Sequence, residues 1–374
     1  MLQVSRTLAS AGIVAVAVVA AALWSVPALE EVSAAGQMPS VLNGRVETRP
    51  ATSLDAAVTA AGTGPDPVWI GWSVPMVIGD RHLCSQWVPE IGGGAIRIAT
   101  LEGSPLTQAP PARPATPVRL EGGTTLVVLA RVVAGRVERL RALDDECPID
   151  AGGRTVYWLT GVSAAESVRY LDALVRTASA TTEGQRRIAT SAVSAIALHR
   201  DPAADPSLDR LVAAGAPDAL ARHAAMWMGS ARGAHGFQTL QARIRAERDP
   251  RLRRTLVSAL GQTREPATPE ALVTLARSDA DPGVRAEAVH WYAVRAPEAA
   301  LPQMMRIIGE DRDDAVKRRA VSSLGVLPAD AGVPALIQLA RTGPSPVIRK
   351  EAVSTLGRST DARARAFLEE LVAR

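Results

Sequence analysis

Aromatic side chains make up only 3% of this sequence, and cysteine occurs twice in 374 residues. The first shortage argues against platforms on which single-stranded bases would stack. The second, with no CxxC pair, leaves no paired-cysteine metal or dithiol motif. HExxH and GxSxG are also absent, and the Gly92, Gly93, Gly94 triplet has no following GK[ST], so a phosphate loop is not supported. Charge of one sign is not in large excess either: the formal net charge is +4, which is no polycation. Beyond the first 28 residues no hydrophobic run approaches membrane length.

What the chain does have begins at its first residues. A lone basic residue, Arg6, precedes an apolar run from Ile13 to Trp24 and a small-residue site at Val26, Pro27 and Ala28. This reads as a secretory signal peptide over residues 1–28, with a second cleavage site after Ala35. An uncleaved anchor is the alternative, since Leu8 to Trp24 is at the short limit for a span. Cleavage leaves no membrane span and a mature protein that is periplasmic or secreted. An exported chain meets an oxidising environment, so Cys84 and Cys147 are expected to form a disulfide rather than a metal or redox pair.

The second half of the sequence repeats every 32 residues. The strings DPRLRRTLVSALG from Asp249, DPGVRAEAVHWYA from Asp281, DDAVKRRAVSSLG from Asp313 and SPVIRKEAVSTLG from Ser345 follow one another at that spacing, and weaker copies stand at Gln185 and Pro217. Down the first helix of each repeat run apolar columns such as Ala192, Ala224, Leu256, Ala288, Ala320 and Ala352. A second helix is marked by Leu208, Leu240, Leu272, Met304, Leu336 and Leu368. Neither helix can bury its stripe alone, so the hairpins must stack. A further column, Gly229, Gly261, Gly325 and Gly357, suits a helix end in left-handed conformation.

These strings carry the DPxVRxxAVxxLG pattern, matched best by Asp281, Val284, Arg285, Ala288 and Val289. On that pattern residues 184–374 resemble the HEAT-repeat superfamily, in the short form also seen in phycobilisome lyase-type proteins. The resemblance implies an α-solenoid that holds or bridges partners, without cofactors and without chemistry of its own. It also implies that the second helices line the concave face.

Two basic series recur with the repeat. Arg253, Arg285, Lys317 and Arg349 stand four residues after Asp249, Asp281, Asp313 and Ser345, and a structural Asp-to-Arg pairing at the helix start is the favoured reading over phosphate binding. Arg245, Arg277 and Arg341, with Arg210 and Arg306, lie on the second helices and form the candidate docking surface for a protein or peptide partner, an acidic one by charge. Nucleic acid is not the expected partner.

Ahead of the repeats, after a linker at 29–44, residues 45–163 carry strand patterns at Trp69–Val74, Arg97–Leu101, Thr124–Val133, Arg136–Leu143 and Thr155–Leu159. They predict a small, disulfide-bonded antiparallel β-rich domain, interrupted by a proline-rich loop at 104–117. Residues 164–183 supply a helix that caps the first repeat, plus a linker. The fold class is therefore α+β, a β-rich domain followed by a solenoid of six hairpins. Asp80, Arg81, His82 and Cys84 with Asp144, Asp145, Glu146 and Cys147 form the densest polar group, read as turn residues around the disulfide. Trp69, Trp72, Trp87, Tyr157 and Trp158 are read as core. His199, His223, His235 and His290 are read as structural or solvated. The sequence thus points to an exported non-enzymatic scaffold; the alternative is a ligand sensor or hydrolase in the N-terminal domain, presented by the repeats.

Overall fold

The structure, a computed structural model, describes residues 38–61, 63–77, 83–84, 86–89, 95–103, 123–177, 182–213, 215 and 218–373. The signal segment, the proline-rich loop, the glycine triplet and Asp80, Arg81 and His82 lie outside the described residues. All described residues fall in one compact unit, Ala35–Arg374.

Among the described residues the front of this unit contains nine strands: β1 (Val41–Leu42), β2 (Arg45–Pro50), β3 (Val68–Pro75), β4 (Gln86–Pro89), β5 (Ala95–Thr100), β6 (Thr125–Val133), β7 (Arg136–Asp144), β8 (Ile149–Asp150) and β9 (Thr155–Thr160). Five of them form a sheet in the order β2-β9-β3-β6-β7, and four form a second sheet, β1-β8-β5-β4. The expected antiparallel pairing holds for β3–β6 and β6–β7, whereas β2–β9 and β3–β9 are parallel. Parallel strands need a crossover. Helix α1 (Leu54–Ala61), which strand periodicity does not reveal, supplies it between β2 and β3. The hairpin β6–β7 turns at Ala134 and Gly135, both left-handed at φ 48° and 72°, the two-residue turn that matches strand twist.

Strand β6 is buried on both faces. Leu126, Val128, Ala130 and Val132 join Ile70, Trp72 and Val74 of β3 against the helices. Val127 and Leu129 join Trp69, Trp158, Leu101, Ile149 and Cys147 in a second core shared with the smaller sheet. Gly71 has no side chain because the Trp158 ring lies where its Cβ would stand, 2.8 Å away. Trp69, Trp72 and Trp158 are therefore core; Tyr157 is half-buried beneath the Arg49 guanidinium, 3.7 Å from its ring centre. The side chain of Trp87 lies outside the described residues. Cys84 and Cys147 are joined, with Cα atoms 5.3 Å apart. Closing a loop of that length contributes roughly 4 kcal/mol in the chain-entropy view.

Helix α2 (Ala164–Thr177) buries Val168, Leu171 and Val175 and packs on the first repeat helix. The repeats pair α3 (Glu183–Leu198) with α4 (Ala204–Val212), α5 (Asp218–Ala231) with α6 (Gly233–Ala246), and α7 (Pro250–Gln262) with α8 (Thr268–Ser278). They continue with α9 (Pro282–Arg295) and α10 (Pro297–Glu310), α11 (Asp314–Ser323) and α12 (Ala329–Thr342), and α13 (Pro346–Leu356) and α14 (Ala362–Val372). One core runs from the β3 and β6 side chains through every hairpin to Phe367. Each large aliphatic in it contributes about 1.5–3 kcal/mol by leaving water. No helix among the described residues is long and apolar enough to cross a membrane.

Candidate interaction faces of the repeat array

The last four first helices each start on a capping side chain. Asp249 accepts from Arg251 N, Asp281 from Val284 N at 2.9 Å, Asp313 from Ala315 N at 2.8 Å, and Ser345 from Ile348 N at 3.3 Å. These caps satisfy N–H groups that the helix leaves open. The same carboxylates do not pair with the arginines four residues on. Arg253 instead reaches across to Asp279, 26 residues ahead, with two bonds of 3.1 and 2.9 Å, and donates to the Glu247 carbonyl. Arg285 repeats this with Asp311, two bonds of 2.9 Å, and with the Asp279 carbonyl. The capping aspartates are turned back onto their own helix ends, so the guanidinium finds its partner in the loop that opens the next repeat. Arg349 keeps the carbonyl bond, to Gly343, and the position equivalent to Asp311 is that same Gly343, which leaves Lys317 no carboxylate there. Asp311 is held below the usual carboxylate range: its burial is outweighed by the Arg285 guanidinium and the Asp313 N–H. Arg253 and Arg285 are thus staples between repeats, with Arg285 only 4% exposed.

The glycine column also has a different role from a left-handed cap. None of Gly229, Gly261, Gly325 and Gly357 has positive φ. A Cβ on Gly229 would stand 1.9 Å from the Ala259 carbonyl oxygen of the next first helix, and one on Gly261 would enter the Trp291 ring at 2.2 Å. A Cβ on Gly325 would meet Thr355 at 2.9 Å. The column is a row of notches that lets successive first helices approach. A second small-residue column, not recognised in the sequence, runs through Ala204, Gly236, Thr268, Ala300, Gly332 and Ala364, all buried. There the second helix presses on the first: Cβ atoms at Gly236 and Gly332 would lie 2.2 and 2.3 Å from the Met228 and Leu324 carbonyls.

Successive first helices therefore pack directly on one another, α5 on α7, α7 on α9 and α9 on α11, whereas successive second helices touch little. A stack that is close along one edge and open along the other bends toward the close edge. The inner wall is accordingly the row of first helices, and the expected concave lining by second helices is reversed. The DPxVR helix is the inner helix.

The proposed docking arginines consequently lie on the outer row. Arg210 pairs with Asp172 of α2, and Arg341 pairs with Glu370 at 3.0 Å and lies over the Phe367 ring. Arg245, Arg277 and Arg306 are exposed. The two rows differ sharply in charge. The six first helices carry thirteen Arg and Lys against five Asp and Glu, an excess of eight; the six second helices carry eight of each. On the inner wall an exposed column of Arg222, Arg254, Arg318 and Lys350 recurs at the repeat spacing, broken by Ala286. That column is legible in the sequence at the 32-residue period, each member standing directly after the position of the DPxVR basic residue, as in Arg253–Arg254, Lys317–Arg318 and Arg349–Lys350.

Among the described residues, His199, His223 and His235 are held by contacts within the fold. Buried His199 donates from Nδ1 to the Ala195 carbonyl (2.6 Å) and accepts at Nε2 from Ser167, which in turn accepts from the Trp72 indole N–H, both at 2.8 Å. Burial pulls its pKa down to about 4. The Trp227 indole N–H donates to His223 Nε2 at 3.2 Å, with Ser194 Oγ 2.8 Å from the same nitrogen, and His235 meets Asp209 at 2.9 Å. Burial lowers the pKa of both His223 and His290. A serine and a histidine in contact at Ser167 and His199 suggest a hydrolytic pair, but both are fully buried. By the disulfide, Asp144 is buried and accepts from Leu83 N at 2.6 Å. Among the described residues no group of three or more acidic, histidine or cysteine side chains is placed to hold a metal.

Residues 208–293 and 300–374 match the HEAT-repeat family, and this array is a HEAT-repeat solenoid. Among solved structures, the chain is similar to YibA of E. coli, at 20% identity over 44% of this chain and 63% of that one, with a TM-score of 0.33. The match thus spans less than two thirds of YibA. It is also similar to human deoxyhypusine hydroxylase in complex with glycerol, at 15% identity over 55% of this chain and 90% of that one (TM-score 0.31). A designed armadillo repeat protein in complex with the peptide (KR)4 is similar at 16% identity over 50% and 98% (TM-score 0.29). No curated protein sequence matches the chain. None of these likenesses bears on what this chain binds.

Proposed function

We propose that the chain is an exported, non-enzymatic HEAT-repeat scaffold that holds a protein or peptide partner along the inner wall of its array. The observation that carries this reading is the charge difference between the rows: an excess of eight positive charges on the first helices against none on the second. Structural stapling uses only part of that excess, and the exposed remainder favours an acidic partner over nucleic acid, since the tryptophans described on this wall, Trp227 and Trp291, are half-buried and offer no open stacking platform. Export is supported by the signal-like residues 1–28 and by the joined Cys84 and Cys147, a pairing at home in an oxidising compartment. The periplasm or the extracellular space is the expected location.

Photocrosslinking amino acids at Ser258 and Ser322 on the inner row, and at Thr274 and Gln338 on the outer row, test the reading in the native envelope. Crosslinks to a partner are expected from the inner pair. Products from the outer pair alone, or from neither, overturn it. Fractionation of the tagged chain with N-terminal sequencing checks export and cleavage after Ala28 or Ala35.

A further inference from the structure

The inner wall has a step length. Successive first helices pack directly on one another, and helices in direct contact stand about 8–10 Å apart. A polyproline-type strand advances about 3.1 Å per residue, so three residues cover about one repeat. An ordinary β-strand, at about 3.3 Å per residue with alternating faces, presents a side chain to one wall about every 6.6 Å and falls out of step.

We propose that the occupant is an acidic segment in polyproline-like extension with a carboxylate at every third residue. This rests on the scaffold reading above and specifies its ligand. Its carboxylates lie against Arg222, Arg254, Arg318 and Lys350, all exposed on one face of consecutive first helices. Position 286, an alanine, interrupts the series, and there the wall presents half-buried His290 and the 38% exposed Val294 instead. The matching residue of the partner therefore needs no charge. The wall's own central carboxylate does not compete for the column: Glu287 accepts from Ser258 at 2.6 Å and from the Trp291 indole at 2.9 Å, with Arg319 at 4.0 Å. A nucleic acid strand fits less well. Four cations in single file are sparse for a phosphate backbone, and Trp227 and Trp291 are half-buried, with Trp291 filling the space beside Gly261.

The test uses the full chain and a labelled peptide of five Glu-Pro-Pro triplets, read by fluorescence anisotropy. The comparison probes are the Gln-Pro-Pro peptide, a peptide of the same composition with its glutamates clustered, and a single-stranded oligonucleotide. Saturable, salt-sensitive binding of the Glu-Pro-Pro peptide is expected, at least tenfold weaker for R254E/R318E and unchanged for R277E/R306E. All four positions are exposed, and circular dichroism verifies that both variants are folded. Equal weakening by the two variants, equal affinity for the clustered peptide, tighter binding of the oligonucleotide, or no binding overturns the proposal. If the inner crosslinkers capture a partner while the triplet peptide fails, the ligand chemistry is wrong and the scaffold stands; if the inner crosslinkers capture nothing, the scaffold reading itself falls.

Discussion

Two kinds of joint hold this molecule together, and they are built from different materials. Between repeats the joint is periodic: a glycine notch between first helices, and an arginine that clamps the loop ahead of the next hairpin. Between the five-stranded sheet and the first repeat it is a one-off. There Val77 N donates to the Leu198 carbonyl at 2.9 Å and Arg200 N to the Pro75 carbonyl at 3.0 Å, so the end of β3 is continued by the chain leaving α3. Beside those bonds sits the Trp72, Ser167 and His199 chain, one residue each from β3, α2 and the end of α3. Arg232 then ties the His199 carbonyl (2.5 Å) to Asp205 (2.7 Å), linking this junction to the second repeat. A periodic joint can be extended by copying it; a junction to something non-periodic has to be satisfied polar group by polar group.

The largest effect should come from breaking a periodic joint. Asp311→Ala leaves the Arg285 guanidinium buried without its carboxylate, which costs about 3–5 kcal/mol. Lys317→Met, at the same column where the clamp has no carboxylate, should stay within about 0.5 kcal/mol. Urea unfolding of the two variants measures the contrast, and similar losses would show that the clamp is not what joins the repeats.

The unique junction is sensitive to acid instead. His199 is neutral in the fold with a pKa near 4, against about 6.5 in the unfolded chain. The unfolded state therefore binds the extra proton between those values. Stability is unaffected by this group above about pH 6.5 and falls as the pH drops toward 4, by up to about 3 kcal/mol. His199→Gln should remove that part of the slope while lowering stability at neutral pH. A slope unchanged in the variant would assign the acid sensitivity elsewhere.

A finer contrast lies within the glycine column. Gly229→Ala forces a methyl against the Ala259 backbone and should cost about 1–3 kcal/mol. Gly357→Ala meets only carbonyls of its own helix, at 3.5 and 3.6 Å, and gains up to about 1 kcal/mol of helix propensity. Thermal melts of opposite sign are expected; equal losses at both sites would return the column to a backbone-conformation role.

The contrast between joints also explains what the sequence revealed. Ala192, Leu256, Val289 and Leu272 declare themselves because six copies share one environment, so the hairpins, their order and α2 are readable from columns. The period says that a column is small or basic but not what it faces. Gly229 was thus open to a capping role, Arg253 to a local partner, and the second helices to the wrong side of the bend. Ser167 and His199 have no periodic counterpart, and their contact depends on how β3 meets α3. In the sheet, β6 and β7 are long and apolar enough to be read directly, whereas β1 and β8, two residues each, exist only through their neighbours.

The smallest effect tests whether the two joints act as one. Ala134 sits at φ 48° in the β6–β7 turn, a conformation that costs an alanine roughly 1 kcal/mol and an asparagine less. Ala134→Asn should therefore stabilise the hairpin by a few tenths of a kcal/mol, up to about 1. The hairpin lies far along the chain from the last repeats, yet its β6 side chains belong to the same core as Phe367. With the junction intact, the variant raises the midpoint of the helical circular dichroism signal together with that of the sheet, in a single transition. A variant that moves the sheet signal and leaves the helical midpoint in place would mean that the polar junction transmits no stability, and that the array folds on the strength of its periodic joints alone.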